Sequence, residues 1–217
     1  MLSKNDLREL YDAFGSKQDR AASYEDPALE KLLEHGHFGA ARAVFELGPG
    51  TGRFAQNLLT NHLSETATYM GIDLSSTMVA LTRERLAAFT GRAEVQQSDG
   101  SPTFDKPDAS VDRFVSSYVL DLLSEADIRA VLNEAHRLLE PGGLLCLAGL
   151  SYSSQPLARL KITLWELAYR VNPRWLGGCR PLRMLEFLPR DVWSVEYHTV
   201  IVAAATPSEV VVARKVS

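Results

Sequence analysis

Three closely spaced glycines follow an acidic residue in the stretch VFELGPGTGRFA, which covers residues 44–55. Glu46 ends a short apolar run, and Gly48, Gly50 and Gly52 come soon after it. Glycines at this density weaken regular secondary structure, so the spacing indicates a sharp turn that a ligand approaches closely. A strand that runs through such a turn into a helix presents backbone N–H groups and the positive end of the helix dipole. The stretch therefore predicts a loop that binds a nucleotide-like ligand.

A second acid extends this predicted site. Asp73 ends the next apolar run, in MGIDLSSTM, roughly 20 positions after the glycines, a spacing at which an acid commonly binds ribose hydroxyls. The ligand could be a dinucleotide or S-adenosylmethionine. Dinucleotide loops favour a glycine where this chain has Arg53, and the charge of Glu46 is a poor neighbour for phosphates. A carboxylate there suits an ammonium group, so these residues favour S-adenosylmethionine.

Short apolar runs alternate with helical patterns along most of the chain. The helices begin at capping residues such as Ser75 and Ser124, and strands separated by such helices need right-handed crossovers. This alternation predicts an α/β fold with a Rossmann-like, doubly wound sheet and helices on both faces. The predicted parallel strands cover residues 43–47, 69–73, 93–97, 113–118 and 144–150.

The two ends of the chain differ from this alternation. At the C-terminal end, two strand patterns are joined only by Thr206 and Pro207, too short for a crossover, which predicts an antiparallel hairpin that completes a seven-stranded, mostly parallel sheet. At the N-terminal end we expect two helices, the second capped by Asp26 with Pro27 in its first turn. The expected single domain has a helical cap (1–42), a cofactor-binding core (43–150), a helical insertion (151–191) and the hairpin (192–217).

The composition narrows the classes of protein. With 46% hydrophobic residues the 217-residue chain can bury a full core, and its net charge of −4 argues against a nucleic-acid partner. Neither a signal peptide nor a membrane-spanning run is predicted. Cys146 and Cys179 make no disulfide framework, so we expect a reducing cytoplasm. The histidines show no metal-ligand spacing, and no metal site is predicted.

Four stretches carry a resemblance to a known family: VFELGPGTGRFA, GIDLSSTM, DRFVSSYVLDLLS and HRLLEPGGLLCLAG. They resemble the successive motifs of class I S-adenosylmethionine-dependent methyltransferases, and most of all the ubiquinone/menaquinone-biosynthesis type and related small-molecule enzymes. The resemblance covers residues 43–150, and the terminal hairpin fits the family's reversed sixth and seventh strands. It implies S-adenosylmethionine as cofactor, S-adenosylhomocysteine as product, and direct displacement onto a small molecule that could be apolar, quinone-like or lipid-like.

The resemblance also implies roles for individual residues. It implies that Asp73 binds the ribose hydroxyls and that Asp99 meets the adenine amino group, although a turn remains an alternative for Asp99. Met78 is implied to lie near the adenine, with plain core packing as the alternative. The implied cofactor contacts are Glu46, Gly48, Gly50, Gly52, Asp73, Leu74, Met78, Asp99, Gly100, Ser116 and Ser117.

The acceptor side of the site is less defined by the sequence. Direct displacement needs alignment and exclusion of water rather than a nucleophile, but an oxygen or carbon acceptor needs a base. Candidates by expected proximity are Tyr118, Asp121 and Tyr11. Asp121 stands where many family members have a histidine, so a role at a helix start is equally open. Gln18 and Tyr24 are further candidates, with helix packing as the alternative.

The insertion leaves two interpretations open. It combines leucines at helical spacing with an excess of basic residues. It can be a lid over an apolar or anionic acceptor that also contacts a membrane surface, or a helix packed on the domain with its basic residues in water. The candidate substrate contacts are Tyr118, Tyr152, Trp165 and Arg180, and an internal ion pair is the alternative for Arg180.

Two other functions remain as alternatives. A regulatory protein of the same fold would bind S-adenosylmethionine without turnover. A nicotinamide oxidoreductase is disfavoured by Glu46, Arg53 and the hairpin. The residues do not decide the oligomeric state.

Overall fold

The computed structural model describes residues 1–216, which form a sheet flanked by helices. The strands are β1 (Ala43–Leu47), β2 (Thr68–Asp73), β3 (Ala93–Gln97), β4 (Val111–Ser117), β5 (Leu139–Leu150), β6 (Trp193–Ala203) and β7 (Thr206–Lys215). The helices are α1 (Lys4–Phe14), α2 (Ala22–His35), α3 (Arg53–Asn57), α4 (Ser76–Arg85), α5 (Glu125–Leu138) and α6 (Pro156–Val171). No helix within residues 1–216 is both long enough and apolar enough to cross a bilayer.

The sheet has the strand order β3-β2-β1-β4-β5-β7-β6. Strands β1 to β5 pair in parallel, whereas β7 is antiparallel to both β5 and β6. The order reverses between β1 and β4, and ligands of open α/β sheets bind beside such a switch point. The predicted seven-stranded, mostly parallel fold is confirmed.

Both faces of the sheet are covered, because neighbouring residues of one strand belong to different cores. Val44 packs with Leu32, Phe38 and other apolar side chains on one face. Phe45, the next residue of β1, packs with Phe114 on the other face, where α5 contributes further apolar residues. This double burial is typical of parallel sheets and holds the strand ends at fixed relative positions.

The hairpin turn lies two residues earlier than predicted. Ala204 and Ala205 form it, with φ angles of 48° and 56°, while Thr206 and Pro207 already belong to β7 and pair with Ala203 and Val202. Two-residue hairpin turns favour positive φ at both positions because that twist matches the strands. Proline has a fixed negative φ and cannot occupy such a turn.

The start of α2 also differs from the prediction. The helix begins at Ala22, directly after a 3-10 segment (Gly15–Ala21), so Asp26 and Pro27 lie inside it. Asp26 is therefore not a cap. Its carboxylate instead accepts a hydrogen bond from the Arg53 guanidinium at 3.0 Å and forms an ion pair that joins α2 to α3.

Helix α6 packs on the domain with a different face from the one its leucines define. Ala158 and Ile162 are its buried residues. The leucines and the valine at helical spacing are 58–74% exposed, so they do not close over the cleft described below. We call these exposed residues the α6 stripe: Leu157, Leu160, Leu164, Leu167 and Val171.

Candidate cofactor and acceptor site

A cleft lies at the carboxyl ends of β1, β2 and β4, beside the switch point. The N-terminal helices cover it, and Lys4 of α1 donates from Nζ to the Gly100 carbonyl at 2.7 Å. Asp12 of α1 also accepts hydrogen bonds from the Ser75 hydroxyl and from Thr77 N–H, at the start of α4. The lining includes Leu7, Tyr11, Gly48, Gly50, Thr51, Asp73, Leu74, Ser98, Gly100, Ser101, Ser117, Tyr118 and Val119.

The glycine loop between β1 and α3 forms the floor of the cleft. Gly48 N–H donates to the Ile72 carbonyl at 2.8 Å, which ties the loop to β2. At Gly48 a side chain would collide with Val119, since an added Cβ would lie 2.3 Å from Val119 Cγ2. Gly50 has a φ of +58°, and an added Cβ would meet no protein atom within 4 Å. Gly50 therefore exposes bare backbone to the space where a ligand can approach.

Asp73 holds this loop from the end of β2. Its Oδ2 accepts from Gly50 N–H at 3.1 Å, and its Oδ1 accepts from Ser75 N–H at 2.9 Å. Burial raises the pKa of Asp73 to about 6, although the backbone donors oppose that rise. The carboxylate lines the cleft and keeps acceptor capacity for hydroxyl groups of a ligand.

Glu46 lies behind the loop and does not line the cleft. It is completely buried, and its Oε2 accepts from the Tyr69 hydroxyl at 2.7 Å. Its Oε1 has no hydrogen-bond partner. Burial raises the pKa of Glu46 to about 7. An unpartnered buried carboxylate oxygen is costly and indicates a missing donor, such as an ammonium group or a water molecule.

The remaining predicted cofactor residues fall into two groups. Leu74, Gly100 and Ser117 line the cleft with Gly48, Gly50 and Asp73. The others do not line it: Met78 is fully buried in the core, Gly52 packs on Thr82, Ser116 is buried with an unpartnered hydroxyl, and Asp99 is exposed and accepts from Ser101 N–H.

The residues at the cleft fit S-adenosylmethionine. Gly50 leaves the space that a side chain would fill, and Asp73 offers a carboxylate suited to ribose hydroxyls. Glu46 has an unpartnered oxygen, but it lies behind the loop and does not line the cleft. No phosphate-binding feature is needed for such a ligand. The loop that carries Ser98 and Gly100 forms the opposite wall, at the end of β3.

A second, smaller cavity adjoins the cleft, and we call it the acceptor cavity. Four residues line both spaces: Tyr11, Gln18, Glu25 and Tyr118. The acceptor cavity is completed by Tyr24, Asp121, Leu150, Trp165 and Cys179. The structure thus brings together the predicted acceptor-side residues Tyr11, Gln18, Tyr24, Tyr118, Asp121 and Trp165.

Tyr118 stands at the junction of the two spaces with a strained backbone. Its φ is +55°, an uncommon value for a residue other than glycine, and such strain often marks functional sites. The Tyr118 hydroxyl donates to Ser208 Oγ at 2.7 Å, and its ring meets Tyr24 edge-on with centroids 5.9 Å apart. Contacts on both sides therefore fix the ring.

Two carboxyl groups face the acceptor cavity. Asp121 is 1% exposed; its Oδ2 accepts from Leu150 N–H at 3.3 Å, and its Oδ1 has no partner. Burial raises the pKa of Asp121 to about 7, and burial raises that of Glu25 to about 7 as well. Glu25 was not among the residues predicted from sequence. An acid within a helix carries no local signal, and only the packing of α2 brings it to this cavity.

Tyr152 and Arg180 do not line either space. The Tyr152 hydroxyl donates to Glu166 at 3.0 Å, and the Arg183 guanidinium lies 4.7 Å from its ring centroid. Arg180 donates from its guanidinium to the Leu123 carbonyl at 2.8 Å, and its backbone N–H donates to the Asp121 carbonyl at 3.0 Å. Both residues thus have partners within the protein.

Comparisons with known proteins agree with the fold. Residues 44–143 match the methyltransferase domain family. A malonyl-acyl-carrier-protein O-methyltransferase from Marinomonas sp. (strain MWYL1) is 29% identical over 155 residues, which are 70% of this chain and 54% of that protein. The chain spans about half the length of the curated relatives it matches.

Solved structures match over nearly the whole chain. The cyclase SpnF superposes with a TM-score of 0.76 at 16% identity, covering 99% of this chain and 96% of that one. The N-methyltransferase NodS from Bradyrhizobium japonicum WM9, in complex with S-adenosylhomocysteine, gives 0.71 at 15% identity and covers 96% and 98%. At these identities the likeness establishes the fold.

The match of residues 44–143 to a methyltransferase domain and the seven-stranded fold support the predicted resemblance to class I S-adenosylmethionine-dependent methyltransferases.

Proposed function

We propose that the chain transfers a methyl group from S-adenosylmethionine to a small molecule. When bound, S-adenosylmethionine supplies a methyl group on a sulfonium, and its direct displacement leaves S-adenosylhomocysteine. The observation that carries the proposal is the junction of two spaces at Tyr118: a cleft with the glycine loop and Asp73, and an adjoining cavity for an acceptor. Methyl transfer depends on alignment of the two reactants and on exclusion of water. The fixed Tyr118 ring supports the alignment, and α1 covers the cleft and excludes water.

The proposed acceptor is small because the acceptor cavity is enclosed by side chains from several elements. Tyr24 and Glu25 come from α2, Trp165 from α6, and Leu150 from the end of β5. Nucleic acid is disfavoured by the acidic chain and by the carboxyl groups at the cavity. A quinone-like or lipid-like acceptor, favoured by the resemblance, stays a prediction.

A second candidate function is binding of S-adenosylmethionine without methyl transfer. The same fold serves a protein named as a cyclase, so the fold alone does not decide the reaction. The cleft residues Gly48, Gly50 and Asp73 serve donor binding in both functions and so do not separate them.

Calorimetry combined with a product screen tests the proposed function. We expect purified protein to bind S-adenosylmethionine and S-adenosylhomocysteine, and not NADH, because the loop suits an amino-acid ligand better than phosphates. Incubation with radiolabelled methyl donor and a panel of amines, phenols, carboxylic acids and quinols should then label at least one acceptor. Donor binding with no labelled product would favour the regulatory alternative. Binding of NADH alone would contradict the proposed function.

We also propose that the α6 stripe contacts an anionic membrane surface. Five apolar side chains of one helix face water there, and Trp175, just beyond the helix, is 68% exposed. Arg159 and Arg170 are exposed on the same helix, and neither forms an ion pair within residues 1–216. Leucines insert at the boundary of the acyl chains, tryptophan prefers the headgroup region, and arginines attract anionic headgroups. The α6 stripe, Trp175 and the two arginines together therefore suit an anionic lipid surface.

Vesicle flotation tests this contact. We expect the protein to float with phosphatidylglycerol vesicles and much less with phosphatidylcholine. Leu160→Glu combined with Leu164→Glu should lower the floated fraction about tenfold, because charges then replace buried apolar contacts. Thr163→Glu, on the polar face of α6, is the matched control and should retain most binding. Failure of the unaltered protein to float, or a dimer that the double substitution abolishes, would overturn this proposal.

A further inference from the structure

The acceptor cavity combines aromatic rings with uncompensated carboxyl groups. Its aromatic residues are Tyr11, Tyr24, Tyr118 and Trp165, and its acidic residues are Glu25 and Asp121. We propose that this cavity binds a cationic amine and that the methyl acceptor is its nitrogen. This inference rests on the proposed function and names the class of acceptor for that same site.

The charges around the cavity support a cationic occupant. No lysine or arginine is among the residues that line it within the described residues 1–216. The two nearby guanidiniums have other partners: Arg53 pairs with Asp26, and Arg180 donates to the Leu123 carbonyl. The negative groups of the cavity are therefore only partly balanced by the protein.

Asp121 provides the sharpest evidence that a donor is missing. The residue is 1% exposed, yet one of its carboxylate oxygens has no hydrogen-bond partner. The carboxyl group of Glu25 is half-buried and makes no hydrogen bond or ion pair within residues 1–216, and the Arg53 guanidinium only partly offsets the rise of its pKa on burial. A buried carboxylate oxygen without a donor is costly, and the positive charge of an ammonium group between the two carboxyl groups would offset that cost.

The aromatic residues fit the same ligand. Cations bind favourably over the faces of tyrosine and tryptophan rings, and cages of such rings are a common way to hold alkylated ammonium groups. The rings here are held in place by polar contacts: Trp165 donates from Nε1 to the Cys179 carbonyl at 2.9 Å, and the Tyr11 hydroxyl donates to the Gly177 carbonyl at 3.3 Å. The hydroxyl of Tyr24 has no such partner in residues 1–216, which leaves it available to the ligand.

The carboxyl groups would also prepare the nitrogen for methyl transfer. An ammonium proton moves to the Glu25 or Asp121 carboxylate, and the nitrogen keeps its lone pair. That pair forms the new N–C bond as the methyl group's bond to sulfur breaks, and the electrons of the broken bond stay on sulfur. Since burial raises the pKa of both carboxyl groups to about 7, either one can accept a proton near neutral pH.

A pair of probes of equal shape tests the inference by binding alone. Choline carries a quaternary ammonium that cannot be methylated, and 3,3-dimethylbutan-1-ol is its neutral carbon isostere. Both are titrated by calorimetry into the full chain saturated with S-adenosylhomocysteine. We expect choline to bind at least about tenfold more tightly than the isostere, because only the cation gains from the rings and carboxylates.

Variants connect that preference to the cavity. Glu25→Gln and Asp121→Asn should each weaken choline about tenfold and change affinity for the isostere less than about twofold. Glu30→Gln removes the same charge from an exposed position of α2 and should leave both affinities unchanged. Affinity for S-adenosylhomocysteine should stay within about twofold in Asp121→Asn and Glu30→Gln, whose residues do not line the cleft, and thermal melting verifies that all three variants fold.

The outcomes separate this inference from the proposed function. Equal binding of choline and its isostere, with S-adenosylhomocysteine bound normally, would overturn the amine inference and leave methyl transfer intact. An unchanged choline preference in both Glu25→Gln and Asp121→Asn would overturn the amine inference in the same way. Absence of S-adenosylhomocysteine binding in the unaltered protein would instead contradict the proposed function itself.

Discussion

Gly50→Val is expected to lower the affinity for S-adenosylmethionine by at least about 100-fold, the largest effect of any single substitution proposed for this chain. Two physical terms add. The backbone at Gly50 has a φ of +58°, a conformation that β-branched residues rarely adopt. The added side chain would also project where no protein atom lies within 4 Å, which is the space assigned to the ligand.

Gly91→Val is the matched control for this prediction. An added Cβ at Gly91 also meets nothing within 4 Å, but the residue has no positive φ and lies outside the cleft. Calorimetric titration with S-adenosylhomocysteine measures both variants, and thermal melting verifies their folding. Equal loss of affinity in both variants, or no loss in Gly50→Val, would contradict the assignment of the loop.

A second pair of variants examines the ribose contact at the same site. Asp73→Ala removes a buried carboxylate that lines the cleft and that also accepts from Gly50 N–H and Ser75 N–H. Loss of charge-assisted hydrogen bonds should weaken the cofactor about tenfold to 100-fold. Asp99→Ala removes an exposed carboxylate from the neighbouring loop and should have little effect. Full affinity in both Asp73→Ala and Gly50→Val would rule out this cofactor site.

Asp121→Asn should make the unliganded protein more stable at alkaline pH. The carboxyl group is 1% exposed, and burial raises its pKa from the ordinary 3.8 to about 7. The Leu150 N–H and the Arg180 guanidinium act in the opposite direction but do not cancel the effect of burial. Because the folded-state pKa is raised, the stability from this group is fully present below the unfolded pKa and is lost as pH rises through about 7.

The size of the effect follows from that shift. This rise in the pKa of Asp121 lowers the free energy of unfolding by ~4 kcal/mol between strongly acidic and alkaline pH. Of that loss, ~3 kcal/mol falls between about pH 5 and about pH 8. Urea unfolding at these two pH values should show that the free energy of unfolding of the unaltered protein declines from the lower pH to the higher. In Asp121→Asn this decline should be smaller by ~3 kcal/mol. Glu46, Asp73 and Glu25 have raised pKa values too, so part of the decline should remain.

Asp127→Asn provides a control of opposite sign. The Ser124 hydroxyl, which donates to this carboxylate, holds the pKa of Asp127 below its ordinary value. Its stabilisation is therefore present above the unfolded pKa and lost as pH falls, so Asp127→Asn should destabilise the protein at about pH 8. If the free energy of unfolding changed with pH in the same way in Asp121→Asn and in the unaltered protein, ionisation of Asp121 would not destabilise the fold.

Local signals in the sequence determined the strands, turns and helix starts that carry the cofactor cleft. The apolar runs of β1 and β3 end at the predicted residues, because a buried strand and the glycine or polar turn after it are both visible within a few positions. Ser75 and Ser124 cap α4 and α5 as predicted, since capping depends on one side chain and the next turn of helix. The short link before β7 was enough to predict the antiparallel hairpin.

Tertiary structure decided what the sequence left open about both parts of the site. Glu25 reaches the acceptor cavity only through the packing of α2, and Glu46 lies behind the glycine loop although it is adjacent in sequence. The leucine spacing of α6 predicted an apolar face but not that this face would meet water, because periodicity does not specify which neighbour covers it. Helix periodicity and turn chemistry are local, whereas the burial of a carboxyl group depends on residues far apart in the chain.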